Sequence, residues 1–145
     1  MSICEEISKV FGDKANCYVD KFGEAWVEIS IESLKEVLGY LAKNGFDHLS
    51  TITGYDTGEK IMLVYHLVKF TDGRAVNVNV RTFVDRDNPI APSVIDLYPS
   101  ALVYEREVYD LLGVKFDGHP RLKRLLLPED VPEDFHPLRK DAKFE

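Results

Sequence analysis

The stretch from Ile61 to Val84 constrains the fold most: two long strands joined by a two-residue turn. Ile61 to Phe70 is apolar in both alternating sets. Ile61, Leu63, Tyr65 and Leu67 form one set; Met62, Val64, His66 and Val68 form the other. A strand covered on both faces reads this way. Asp72-Gly73 follows, and both residue types tolerate the positive φ of a tight hairpin turn. In the return strand, Ala75 to Val84, Val76, Val78, Val80, Thr82 and Val84 share one side, and Asn77, Asn79 and Arg81 share the other. That alternation predicts one core face and one polar face.

The hairpin needs partners to bury its apolar face, and the flanking sequence supplies them. Leu34, Val37, Leu38, Leu41 and Ala42 recur at helical spacing, with Asn44-Gly45 as the stop. Ser30 or Ser33 can cap this helix, and Ser33 with Glu36 fits the capping-box spacing. Residues 3–12 predict a short helix through Ile3, Ile7, Val10 and Phe11. Cys17 to Ser30 predicts a hairpin turning at Lys21-Phe22-Gly23. Asp85 to Pro92 reads as a loop. Pro99-Ser100 opens a last helix that runs to about Leu112 and stops at Gly113. The sum is an α+β domain: a mixed or antiparallel sheet packed by two to three helices.

From Gly118 the character changes. Pro120, Pro128, Pro132 and Pro137 deny the chain the donors that helices and central strands need. Residues 1–117 thus read as a core domain and 118–145 as an extended arm. The arm is not hydrophilic, since it carries Leu122, Leu125, Leu126, Leu127, Val131, Phe135 and Leu138. Each such side chain left in water forgoes roughly 1.5–3 kcal/mol of burial. Either the arm wraps over its own sheet, or it docks on another protein.

Several kinds of chemistry find no support. The net charge of −7 opposes the phosphate neutralisation that drives nucleic-acid binding, although Arg121, Lys123, Arg124, Arg139 and Lys140 cluster late in the chain. The aromatic stacking pattern of RNA-binding modules is also missing. No apolar run approaches the 18 or so residues of a membrane span. Met1 to Glu6 lacks the basic and apolar regions of a secretory signal. Cys4 and Cys17 match neither a zinc nor a CxxC pattern, and an iron–sulfur cluster wants about four cysteines. The chain therefore reads as intracellular, where a disulfide between the two cysteines is open but disfavoured by a reducing compartment. No phosphate-binding loop is present: Gly54 to Lys60 has the wrong spacing. His48, His66, His119 and His136 do not pair at ligand spacing, and His66 reads as a satisfied core residue.

The densest charged group is Glu105-Arg106-Glu107 with Asp110. Three readings are open. It is a solvated helix face; or Glu105, Glu107 or Asp110 serve as acid and base of a small stand-alone enzyme; or Arg106 sits among carboxylates in a buried structural or interface network. The acid–base reading is the poorest, because residues two apart on a helix point in different directions. The planar guanidinium suits the network reading, since it can pair two carboxylates at once.

At this point the sequence resembles a known family. Glu105-Arg106-Glu107, Asp110-Leu111-Leu112, His119, Lys123 and Leu125-Leu126 stand at its signature spacings. Tyr109, Gly113, Phe116, Gly118-His119-Pro120, Leu122, Arg124, Leu127-Pro128-Glu129-Asp130 and His136-Pro137-Leu138-Arg139-Lys140-Asp141 agree with it. The family is the thirty-kilodalton subunit of respiratory complex I, with its counterpart in energy-converting membrane-bound hydrogenases. The match is specific over about residues 99–141.

The resemblance implies a non-catalytic, cofactor-free subunit in the peripheral arm of an ion-pumping membrane complex, on the cytoplasmic side of the cell membrane. Its partners would be the large catalytic subunit and a small subunit that carries iron–sulfur clusters, with nickel-iron in the hydrogenase branch. Contact with the membrane would be only through the complex. Glu105, Arg106, Glu107, Asp110, His119 and Pro120 would form the structural motif at the interface. Leu125, Leu126, Leu127, Phe135 and Leu138 would anchor the arm in partner pockets, with His136 and Pro137 between the last two. Arg121, Lys123, Arg124, Arg139 and Lys140 would pair with acidic groups around them. Two departures, Phe135 before His136-Pro137 and the short Ala142 to Glu145 end, lean toward the hydrogenase-type, ferredoxin-linked branch. The alternative is an NADH–quinone oxidoreductase.

Overall fold

A computed structural model describes residues 3–120 and Arg139. The elements run α1 (Ile3–Phe11), β1 (Ala15–Val19), β2 (Ala25–Ile29), α2 (Leu34–Lys43), β3 (His48–Asp56), β4 (Lys60–Thr71), β5 (Arg74–Asp85), β6 (Ile90–Pro92), α3 (Ala101–Leu112) and β7 (Lys115–Asp117). This is an α+β fold, as the patterning predicts.

The β4–β5 hairpin forms the middle of a five-stranded sheet ordered β1-β2-β5-β4-β3. Its turn falls at Asp72 and Gly73, with φ of 50° and 75°. β5 also accepts β2 on its far edge in parallel, pairing Ala25 with Val78 and Val27 with Val80. The remaining neighbours are antiparallel. α2 and α3 end where their sequences predict, at left-handed Gly45 and Gly113.

One sheet face carries the core. Ile61, Leu63, Tyr65 and Leu67 of β4 meet Val78, Val80 and Val84 of β5 there. Ile7 and Phe11 of α1, Leu34 to Leu41 of α2, and Val108 and Leu112 of α3 pack against them. The three α-helices of the described residues thus share one side. Both alternating sets of β4 are largely buried, as its patterning predicts, but only one meets the helices. Val64 and Val68 are buried on the opposite face but lie outside the core cluster.

On that opposite face, polar side chains bond one another. The His66 ring donates from Nδ1 to Asn79 Oδ1 at 2.7 Å and accepts at Nε2 from Thr53 Oγ1 at 3.1 Å. His66 is therefore satisfied, as expected, but only half-buried. Arg81 pairs with Glu28, donates to the Tyr18 hydroxyl at 2.9 Å and lies 5.4 Å from the centre of the Trp26 ring. A polar sheet face can keep apolar residues dry when long side chains lie across it.

Other differences have local causes. β3 goes unpredicted because its alternation is broken by a register shift between Leu49 and Thr51 and by Gly54. Gly54 is needed for close approach: a Cβ there would sit 2.6 Å from Leu112 Cδ1. Gly54→Ala should therefore cost about 1–3 kcal/mol through overpacking. An unchanged urea midpoint would show that Leu112 moves aside freely. The expected 85–92 loop contains β6, which pairs in parallel with β7 through Ala91 and Phe116. Three-residue strands are too short for periodicity to reveal.

The capping box does not form. A 3-10 turn at Ile31–Ser33 precedes α2, and Ser33 has helical backbone angles rather than the extended ones a cap requires. Cys4 and Cys17, a pairing the sequence left open but disfavoured, are joined by a disulfide. α1 folds back along β1, which brings their Cα atoms to 5.2 Å.

Candidate functional site

α3 leads into the arm, and its inward stripe carries the charged motif. Glu105 and Asp110 are fully buried, so the solvated-face reading is corrected. Arg106, Glu107 and Tyr109 are half-buried. Glu105 Oε1 accepts from Ser93 Oγ at 2.6 Å, and Oε2 accepts from the Val94 N–H at 2.8 Å. Both oxygens are thus engaged by the segment just after β6. Burial pushes the Glu105 carboxyl up to about 7, against the lowering effect of the Ser93 and Val94 bonds; Asp96 adds to the rise and Lys35 opposes it. Tyr65 lies fully buried nearby, and burial, then the Glu105 charge, hold its hydroxyl well above the usual tyrosine range.

This buried carboxylate acts as a bracket. Ser93, gripped through its hydroxyl, donates its N–H to the Asp117 carbonyl at 2.8 Å. α3, β6 and β7 are thereby locked where the chain turns toward the arm. The His119 ring adds a second tie, donating from Nε2 to the Leu102 carbonyl at 2.9 Å. Its backbone N–H reaches Phe116 O at 3.1 Å. Pro120 follows, exposed.

A further cluster lies beyond the other end of β5. The Asp56 carboxylate, fully buried, accepts from Arg86 Nε at 2.9 and 3.0 Å and from the Gly58 N–H at 2.8 Å. Arg139 Nη2 donates to the Arg86 carbonyl at 2.9 Å. Sequence reasoning missed Ser93, Asp56 and Arg86. Asp56-Thr57-Gly58 carried a signal as a turn in which the Asp side chain binds the backbone two residues on. Ser93 carried none. Among the described residues, no three His, Cys, Asp or Glu converge as metal ligands. No described helix is long and apolar enough to cross a membrane.

Residues 27–145 match the family described as respiratory-chain NADH dehydrogenase, 30 kDa subunit. This chain belongs to that family. The chain is 40% identical over 129 residues to NADH-quinone oxidoreductase subunit 5 of Thermus thermophilus, covering 82% of this chain and 61% of that relative. An NADH-quinone oxidoreductase subunit of Moorella thermoacetica is 45% identical over 105 residues, covering 71% of this chain and 68% of its own length. The membrane-bound hydrogenase subunit beta of Pyrococcus furiosus is 34% identical over 120 residues, covering 81% and 69%. Among solved structures, a trypsin-resistant fragment of Nqo5 superposes with a TM-score of 0.71 at 33% identity, covering 81% of this chain and 97% of the fragment. A chain of the archaeal membrane-bound sulfane sulfur reductase superposes with a TM-score of 0.86 at 27% identity, covering 97% of this chain and 84% of that one.

Within this family member, the structure brings Glu105, Asp110 and His119 of the expected motif into the packing of α3 and the residues that follow it. Glu105 and Glu107 diverge, as helix geometry requires. Arg139, expected to face a partner, reaches its own core. Arg121, Lys123, Arg124, Leu125, Leu126, Leu127, Phe135, His136, Pro137, Leu138 and Lys140 lie outside the described residues.

Proposed function

We propose that the chain is a non-catalytic, cofactor-free subunit in the peripheral arm of a membrane-bound, ion-translocating complex-I-like oxidoreductase. It scaffolds the large catalytic subunit, beside a cluster-bearing small subunit, on the cytoplasmic side of the membrane. Residues 1–117 form the core, and 118–145 form the arm that docks. The observation that carries this reading is the Glu105 site. Its two oxygens are engaged by Ser93 and Val94, and it is closed to solvent. A group so placed shapes structure rather than meeting a substrate.

The hydrogenase-type, ferredoxin-linked branch is supported by the 34% identity to the membrane-bound hydrogenase subunit beta. The NADH–quinone reading is favoured by the 40% and 45% identities to those subunits. Nickel-ligating cysteines in the adjacent large subunit would select the first, and their absence the second.

The test is co-purification. Arg106→Ala should abolish recovery of the chain with its large membrane complex, because it removes a half-buried cation one helical turn from buried Asp110. Full assembly of that variant would sink the interface role of the motif. A freely soluble, monomeric native pool would count against the whole reading. Turnover by the purified chain, lost in Glu107→Gln, would favour a stand-alone enzyme.

A further inference from the structure

We propose that Asp56 and Arg86 hold Arg139 on the core before any partner binds, a second tie for the C-terminal residues besides the one at His119. The proposal rests on the docking role given above and names the residues that position the docking segment.

The first tie is the root already described. β7 is paired with β6, and the His119 ring is bonded to the Leu102 carbonyl. The second is built in layers. Asp56 ends β3 and Arg86 follows the end of β5, and the two flank the start of β4, where Asp56 pairs with Ile61 and Asp85 with Lys60. The Asp56 carboxylate is fully buried and holds Arg86 Nε through both oxygens. It also takes the Gly58 N–H, so the turn into β4 supports it. Arg86 is therefore fixed by its side chain, and its carbonyl is presented at a set place. Arg139 Nη2 donates to that carbonyl.

A charged guanidinium on a carbonyl is stronger than a neutral hydrogen bond. One of the arm's five expected partner-facing cations is thus committed to the core. What the fold gains is preorganisation. A docking side chain already held on the core has fewer arrangements to lose on binding than a free one, so more of its contact energy appears as affinity. Arg86 and Asp56 act here as positioning residues, with no contact to a partner required of them.

The test separates the tie from its use. In the isotopically labelled full chain, free of partners, Arg139→Ala should shift the Arg86 carbonyl carbon resonance and leave the β4 and β5 signals in place. Arg139→Lys, which keeps a cationic donor, should retain most of the wild-type shift. Asp56→Asn should move the same resonance by loosening Arg86, and Arg139→Ala covers the case in which that buried substitution fails to fold. An Arg86 carbonyl unchanged by Arg139→Ala overturns the proposal. In the native complex, Arg139→Ala should lower recovery of the chain with the large subunit about tenfold, the effect of losing one charge-assisted bond. A shifted resonance with undiminished assembly would keep the tie and remove the docking role on which its use depends.

Discussion

Glu105→Ala is expected to lower the melting temperature by roughly 10 °C at pH 5, from the loss of about 3 kcal/mol. The substitution strands the Ser93 hydroxyl and the Val94 N–H, both bonded to the carboxyl and enclosed with it. Each buried polar group left unpaired costs about 1–3 kcal/mol, and the truncated side chain adds a cavity. Glu105→Gln should be far milder, since an amide can accept from Val94 and donate to Ser93. The same pair of variants exposes a pH effect. Burial raises the Glu105 carboxyl from 4.5 to about 7, so the folded state binds this proton more tightly than the unfolded chain does. The associated stability is fully present below the unfolded value and is lost as pH rises through about 7, a fall of about 3 kcal/mol. The groups facing Glu105 are Ser93 and Val94 from the segment after β6, Asp96 beyond them, Lys35 on α2 and Tyr65 on β4. Subtracting the Glu105→Gln profile from the wild-type profile removes the other carboxylates. Parallel denaturation profiles between pH 4.5 and 8 would refute the assignment.

Reduction of the Cys4–Cys17 bond is expected to cost about 3 kcal/mol, the loop-closure entropy of a crosslink spanning about 15 residues. In a domain of this size that is again a drop of roughly 10 °C. The bond tethers α1, which is also attached through Ile7 and Phe11 in the core and the edge-on contact of Phe11 with Tyr40 at 5.4 Å between ring centres. Thermal melts with and without a dithiol reductant measure the effect. The Cys4→Ser/Cys17→Ser variant should reproduce the reduced protein and show no response to reductant. Identical melting of the oxidised and reduced chains would mean that the crosslink restrains nothing in the unfolded state.

The sheet's centre and the helices were legible in the sequence because their signals are periodic and local. The β4–β5 alternation, the Asp72-Gly73 turn and the α2 stripe each repeat over several residues, and Gly113 marks the end of α3 by itself. The arm's proline content and its leucines were equally plain. What stayed hidden was short or singular. β3 lost its alternation to a bulge, and β6 and β7 hold three residues each. The disulfide joins two positions that fit no spacing motif and meet only because α1 doubles back on β1.

The charged motif divides the same way. Its spacing alone identified the family and assigned Glu105 and Glu107 to different directions, because helix geometry is a property of the local chain. Which carboxylates are buried was a tertiary decision. It depended on α3 lying against β3 and on the segment after β6 coming within hydrogen-bond reach of Glu105. Arg139 shows this most sharply. Its sequence neighbours mark it as one of a row of partner-facing cations, yet its guanidinium bonds a carbonyl more than fifty positions earlier. Composition and periodicity act through neighbours along the chain, so they determine elements and their amphipathic faces. Pairings between distant residues depend on how those elements stack, and only the folded structure carries that information.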